Sequence, residues 1–312
     1  MTSFIVSVNA VLPIFIMFAV GFIMRKVNLV DDDLISRTNK IVFRVFLPIM
    51  LFNNIYSSDL KSVFNPRLVL FAPTSVFILF LLATLFVVLI RDESKRRGAM
   101  IQALFRSNYV ILGIPIIVAI FGEESSAIPS LLSAFVVPVF NLLAVITLEV
   151  FRGKKPSFFK VLKSIIKNPL IIASILGITV NLLGISFPSV IASTIKTIGS
   201  VATPLPLVML GAFFRFDSVK ANIKDITICT VGRLIISPLL GSIAALLLGF
   251  RGVEFASLLI MFAAPPAIAS FTMAQQMESD SQLAGETVIV SSALSCITIF
   301  LWVYLYTALG VI

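Results

Sequence analysis

The chain contains no histidine. That removes the side chain most used near neutral pH for proton relay and metal ligation. Cysteine is nearly as scarce, with Cys229 and Cys296 alone and far apart. Neither belongs to a metal-spaced cluster, so both read as small buried apolar residues rather than a disulfide or a metal site. Charged residues make up only 12% of the chain, about half the share of roughly 25% found in soluble domains. No glycine-rich, lysine-containing phosphate loop occurs, which argues against direct ATP drive within this chain. No apolar run holds a pair of aspartates. With no histidine either, the dyad or metal cluster of a membrane-embedded enzyme is missing, and no cofactor is implied.

What is present is apolar residues, 59% of the chain, in long unbroken runs. About 20 consecutive apolar residues span the hydrocarbon of a bilayer as a helix. Reading the runs between charged or Pro/Gly breaks predicts an all-α integral membrane protein of ten spans, near residues 4–24, 34–55, 68–90, 99–121, 128–150, 161–183, 190–214, 226–250, 255–277 and 283–309. The net charge of +9 belongs to short loops and so points to membrane orientation, not to nucleic acid. Arg25 and Lys26, then Arg91, Lys95, Arg96 and Arg97, then Arg152, Lys154, Lys155 and Lys160, then Arg215, Lys220 and Lys224 follow the first, third, fifth and seventh spans. Loops of the other parity hold only Lys61, Arg67 and Arg251. The positive-inside rule then places both termini outside a cell membrane.

Five spans per half, 1–155 and 156–312, would be an inverted repeat. The second span of each half carries prolines, in Leu47-Pro48 and in Pro204-Leu205-Pro206. The fourth spans carry Gly113-Ile114-Pro115 and Pro265-Pro266. Proline lacks the backbone donor and clashes with the preceding turn, so both fourth spans are expected to break there. Matched breaks in two halves point to a transporter's substrate site, because backbone groups freed within a membrane must line a cavity or be buried in protein.

Leu47-Pro48, Arg106-Ser107-Asn108, Gly113-Ile114-Pro115 and Phe121-Gly122, in this order over ten short-looped spans, resemble the auxin efflux carrier family. The resemblance covers the whole chain. It implies two inverted five-helix repeats with helices 4 and 9 crossing at their breaks, and a scaffold set and a transport set of helices that move as an elevator. It also implies organic anions as substrates, and frequently homodimers. Without a long central loop, the chain looks more like the bacterial malonate and malate carriers than the plant hormone exporters. The related bile acid–sodium symporters place an acidic residue in helix 9, and none lies within 255–277 here.

Arg106 and Arg233 lie inside apolar spans, where an ionisable group tends to face a cavity. A guanidinium fork matches carboxylate oxygens, and each arginine is either an anion clamp or a group snorkelling to the interface. In an intact helix Asn108 would point away from Arg106. The resemblance favours Asn108 at the crossover, as ligand or as partner for freed backbone. Expected substrate-binding residues are Asn108, Arg106, Gly113, Pro115, Pro265, Pro266, Asn141 and Arg233. Ser107, Gln275 and Glu286 are weaker candidates for coupling to H+ or Na+. Asn53 and Asn54 are further polar candidates, and the stripe Thr287, Ser291, Ser295 and Thr298 reads as helix packing. The expected function is carriage of small organic anions, with an ion channel or a transporter-like sensor as the alternatives.

Overall fold

The computed structural model describes residues 2–57, 65–152 and 158–312, with side chains from residue 12 onward except at 158, 160 and 161. Lys61, Lys154, Lys155 and the expected boundary at 155 lie outside the described residues. The described residues form helices and no strand. In chain order these are α1 (Thr2–Lys26), α2 (Asp32–Ile41), α3 (Leu47–Tyr56), α4 (Pro66–Ile90), α5 (Ser94–Phe105), α6 (Tyr109–Phe121), α7 (Ala127–Val150) and α8 (Phe158–Ile166). There follow α9 (Pro169–Leu182), α10 (Ser189–Ser200), α11 (Pro204–Phe213), α12 (Phe216–Val231), α13 (Ser237–Leu247), α14 (Gly252–Ala263), α15 (Ala269–Gln276) and α16 (Ser281–Ala308). Five continuous stretches among the described residues are long and apolar enough to cross a bilayer, namely 66–90, 123–150, 189–213, 216–247 and 281–308. The outer faces are greasy: Leu70, Leu85 and Leu89 of α4 and Leu247 of α13 are large exposed apolar side chains, as a lipid surround favours.

Local sequence explains the helix ends. Asn65 and Asn168 accept hydrogen bonds from the N–H groups two residues on, and each is followed by proline at the first helical position. That position needs no intrahelical donor, so proline starts the helix without loss. Two interior prolines are handled differently. Immediately before Pro48, and again before Pro238, one turn is widened to π geometry, with Leu47 N–H bonding Val42 O and Ser237 N–H bonding Gly232 O. The wider turn moves backbone away from the ring, which in a regular helix would clash with the carbonyl four residues earlier.

The helices pack as two sets. In one, α1 lies along α11, while α3 packs on α9 and α10. Gly21 and Gly211 let the α1 and α11 backbones touch, since a Cβ at either would overlap a carbonyl of the other helix, Val208 O or Phe18 O. In the second set α4 packs on α5 and α7, α12 on α16, and α13 on α14. Asp225 of α12 is its electrostatic anchor, ion-paired with Arg91 at the end of α4 and Arg96 of α5.

The two ends of the molecule carry different loops. At one end Arg215 reaches Asp32 at 3.1 Å, Arg152 reaches Glu278 at 2.6 Å, and Ser279 Oγ donates to Lys95 O at 2.7 Å. These are the basic loops. At the other end Asn65 bonds Glu254 at 2.6 Å, Asn181 bonds Ile55 O at 3.1 Å, and Gly252 N–H bonds Val311 O at 2.9 Å.

Candidate functional site

The segments between α5 and α6 and between α14 and α15 are extended and cross. Asn108 N–H donates to Pro265 O at 2.9 Å, and Ser107 pairs with Pro266 in an isolated antiparallel bridge. Each crossing segment therefore gives the other the backbone partner that its own helix no longer supplies.

Pro265-Pro266 interrupt their span where expected. The other break corrects the sequence reading: it lies at Arg106–Asn108, whereas Gly113 and Pro115 sit within α6. A single missing donor at Pro115 is tolerated, and the Tyr109 ring lies against Gly113 where a Cβ would clash. Pro115 is exposed and is not among the residues that line the cavity beside the crossover.

Beside the crossover lies a cavity of about 350 Å³. Its walls come from both helix sets. Asn53 and Asn54 of α3, Leu170 of α9 and Lys196 to Thr203 of α10 and its following turn form one side. Arg106, Ser107 and Asn108 of the first crossing with Val110 and Ile111 of α6, Phe140 and Asn141 of α7, and Ala267 and Ile268 of the second crossing with Ala269 of α15 form the other. The N-terminal turns of α6 and α15 thus both border it, with the positive end of their dipoles.

The break brings together what a helix would separate: Arg106 and Asn108 line the same cavity. Arg106 is buried and donates to Asn141 Oδ1 at 2.7 Å and Gln102 Oε1 at 3.2 Å, with Met273 Sδ at 2.9 Å. Asn141 in turn donates to Val137 O at 2.9 Å. Ser107 Oγ and Asn108 Nδ2 are buried with no hydrogen-bond partner among the described residues. An unpaired buried polar group costs about 1–3 kcal/mol, so both atoms are poised to accept a guest.

Lys196 was missed by the sequence reading. It is the one ionisable residue within the run 190–214, and that was the available signal. Among the described residues, no aspartate or glutamate lines the cavity.

Other expected residues lie elsewhere. Arg233 is not at the cavity, which corrects its placement as an anion clamp: its donors go to the carbonyls of Ala264, Met261, Phe105 and Leu104. Pro265 and Pro266 form the crossing itself and leave the lining to Ala267 and Ile268. Gln275 accepts from Asn39 Nδ2 at 2.7 Å, joining α15 to α2. Glu286 is buried and accepts from Asn222 and Gln282 at 2.8 and 2.7 Å, remote from the cavity. In the α16 stripe Ser291 bonds Thr230 of α12 at 3.0 Å, a packing contact.

Two comparisons bear on this geometry. An uncharacterized transporter of Methanothermobacter thermautotrophicus is 26% identical over 304 residues, covering 96% of this chain and 98% of the relative. One from Methanocaldococcus jannaschii is 23% identical over 304 residues, covering 95% and 98%. The membrane transport protein family is matched over residues 6–158 and again over 154–303. The crossed, broken helices beside a cavity with polar groups at the crossing, and matches running nearly the length of the chain, lead to one conclusion: the chain belongs to the membrane transport protein family, that of the auxin efflux carriers.

Proposed function

We propose that this membrane transporter carries small organic anions, carboxylates above all, through the cavity at the crossover. The observation that carries the reading is the cavity's charge: among the described residues, Arg106 and Lys196 line it and no carboxylate does. Two helix N-termini add positive potential, and Ser107 and Asn108 offer unused polar atoms. A cation in the same place would meet like charge on both walls.

On this reading the ten apolar runs are ten spans in two inverted halves, both termini outside, with each half contributing one broken helix. The reciprocal pairings support it: α1 of the first half packs on α11 of the second, and α9 of the second packs on α3 of the first. The set holding α4 to α7 and α12 to α16 carries the crossover, and slides as an elevator against the set holding α1 to α3 and α9 to α11. The substrate is bound between them, so its path opens alternately to either side.

The test is charge movement in proteoliposomes on rapid addition of malonate, malate, succinate, lactate or indole acetate. Saturable current for one anion class, abolished in Asn108→Ala and Arg106→Gln, is the expected result. Silence with every anion from folded, inserted protein overturns the anion reading.

A further inference from the structure

Arg233 is the largest fully buried side chain among the described residues, and it serves neither the cavity nor a carboxylate. It sits in the π turn of the α12–α13 helix, facing the back of the crossover. There α5 and α14 end nose to nose, each passing into extended backbone at Arg106 and Ala264. A helix end leaves its last carbonyls unpaired and carries about half a negative charge. Two such ends meeting in an apolar bundle form a nest of oxygens that favours a cation, and in transporters half-helix ends and unwound carbonyls are where coupling cations bind. Arg233 fills that nest. Nε donates to Ala264 O at 2.7 Å and Nη2 to Met261 O at 2.8 Å, both on α14 and its exit. Nη1 reaches Phe105 O at 3.1 Å and Leu104 O at 3.4 Å on α5.

We propose that Arg233 is a tethered cation standing where a free coupling cation would otherwise be held, so that the carrier cycle runs without Na+. The proposal rests on the transport reading above and narrows it. A guanidinium keeps its charge throughout the physiological range and has five N–H donors in a fixed plane. It cannot leave during the cycle, because it is covalently part of the same helix set as both ends that it joins. The charge at the back of the crossover is therefore constant, and the Na+ gradient has no purchase on crossover geometry. Arg233 acts through the backbone that shapes the cavity and is a positioning residue.

Thermal unfolding of the full-length protein in detergent tests this without any substrate. Equal ionic strengths of NaCl, KCl and N-methylglucamine chloride are compared for wild type, Arg233→Lys and Arg233→Gln. Lysine retains charge with fewer bonds, and glutamine retains N–H donors without charge. Wild type is expected to unfold within about 1 °C in all three salts. Arg233→Gln is expected to lose about 5 °C or more and to regain part of it with Na+ or millimolar guanidinium but not with N-methylglucamine. Arg233→Lys is expected near wild type in every salt. Stabilisation of wild type by Na+ specifically overturns the proposal. So does an Arg233→Gln protein as stable as wild type, or one that is weakened yet indifferent to every small cation. Should Arg233→Gln fail to fold, Arg233→Lys decides: folding with salt-independent stability supports the tethered charge, and failure overturns it. In proteoliposomes, malonate currents of equal size in Na+ and N-methylglucamine support the proposal, and currents that need Na+ overturn it. No current with any anion overturns the transport reading alone, since the thermal comparison stands apart from it.

Discussion

At the scale of single residues, the cavity separates groups by how they are held. Arg106 is clamped by Asn141 and Gln102, so its charge arrives in a fixed place. Lys196 is exposed on the opposite wall with a flexible stem. A charge-assisted contact is worth about 1.5–3 kcal/mol, and Lys196→Gln is expected to raise the KM for a transported carboxylate on the order of tenfold, with a smaller change in maximal current. An unchanged KM would remove Lys196 from the binding wall. Asn108 differs in kind, since its backbone holds the crossing and its amide is free. Asn108→Ala should keep the fold and lose the current, whereas a variant that unfolds would make Asn108 a structural residue. Sequence periodicity set Arg106 and Asn108 on different faces. The reading failed because it assumed a helix through residues that pair instead with the distant Pro265-Pro266 segment.

At the scale of elements, helix contacts are set by the smallest residues. Gly21 and Gly211 bring α1 and α11 to backbone contact, the close approach that gives membrane helices much of their packing energy. Gly211→Val should push the pair apart and lower the unfolding temperature by about 5 °C or more, read by a thermal melt in detergent. No fall would mean that α1 moves freely against α11. The turn between α15 and α16 is tied to the end of α7 by Arg152, which also pairs with Glu149 at 3.5 Å. Its hydrogen bond and charge hold the Glu278 carboxyl below the ordinary carboxylate range. A lowered carboxylate pKa stabilises the fold above its ordinary value, and that contribution fades as pH falls through the lowered one. Glu278→Gln should therefore lose a small acid-side decline in melting temperature, small because the pair is exposed. The pairing of Arg152 with Glu149 was legible from the i, i+3 spacing, and that with Glu278 was not.

At the scale of the whole molecule, the elevator reading requires the two helix sets to slide past each other. The partly buried Asn39–Gln275 bond joins α2 to α15 across that boundary. In a background with Cys229 and Cys296 replaced by alanine, a cross-link between Asn39→Cys and Gln275→Cys should abolish current, and reduction should restore it. Full current from the cross-linked protein would rule out movement along this boundary.

Sequence alone determined that the chain is helical and membrane-embedded, that basic residues cluster in alternate loops, and that a helix is interrupted at Pro265-Pro266. Each of these depends on what a residue does locally: apolar side chains leave water, and proline lacks a donor. The tertiary structure decided the rest. Nothing in Arg106-Ser107-Asn108 forbids a helix, and the break there exists because the facing segment supplies the bonds. Arg233 and Lys196 both lie within apolar runs, and only Arg233 reads as a candidate there. One is spent on backbone carbonyls, which leave no mark in a sequence, and the other opens on a cavity that forms only when two helix sets meet.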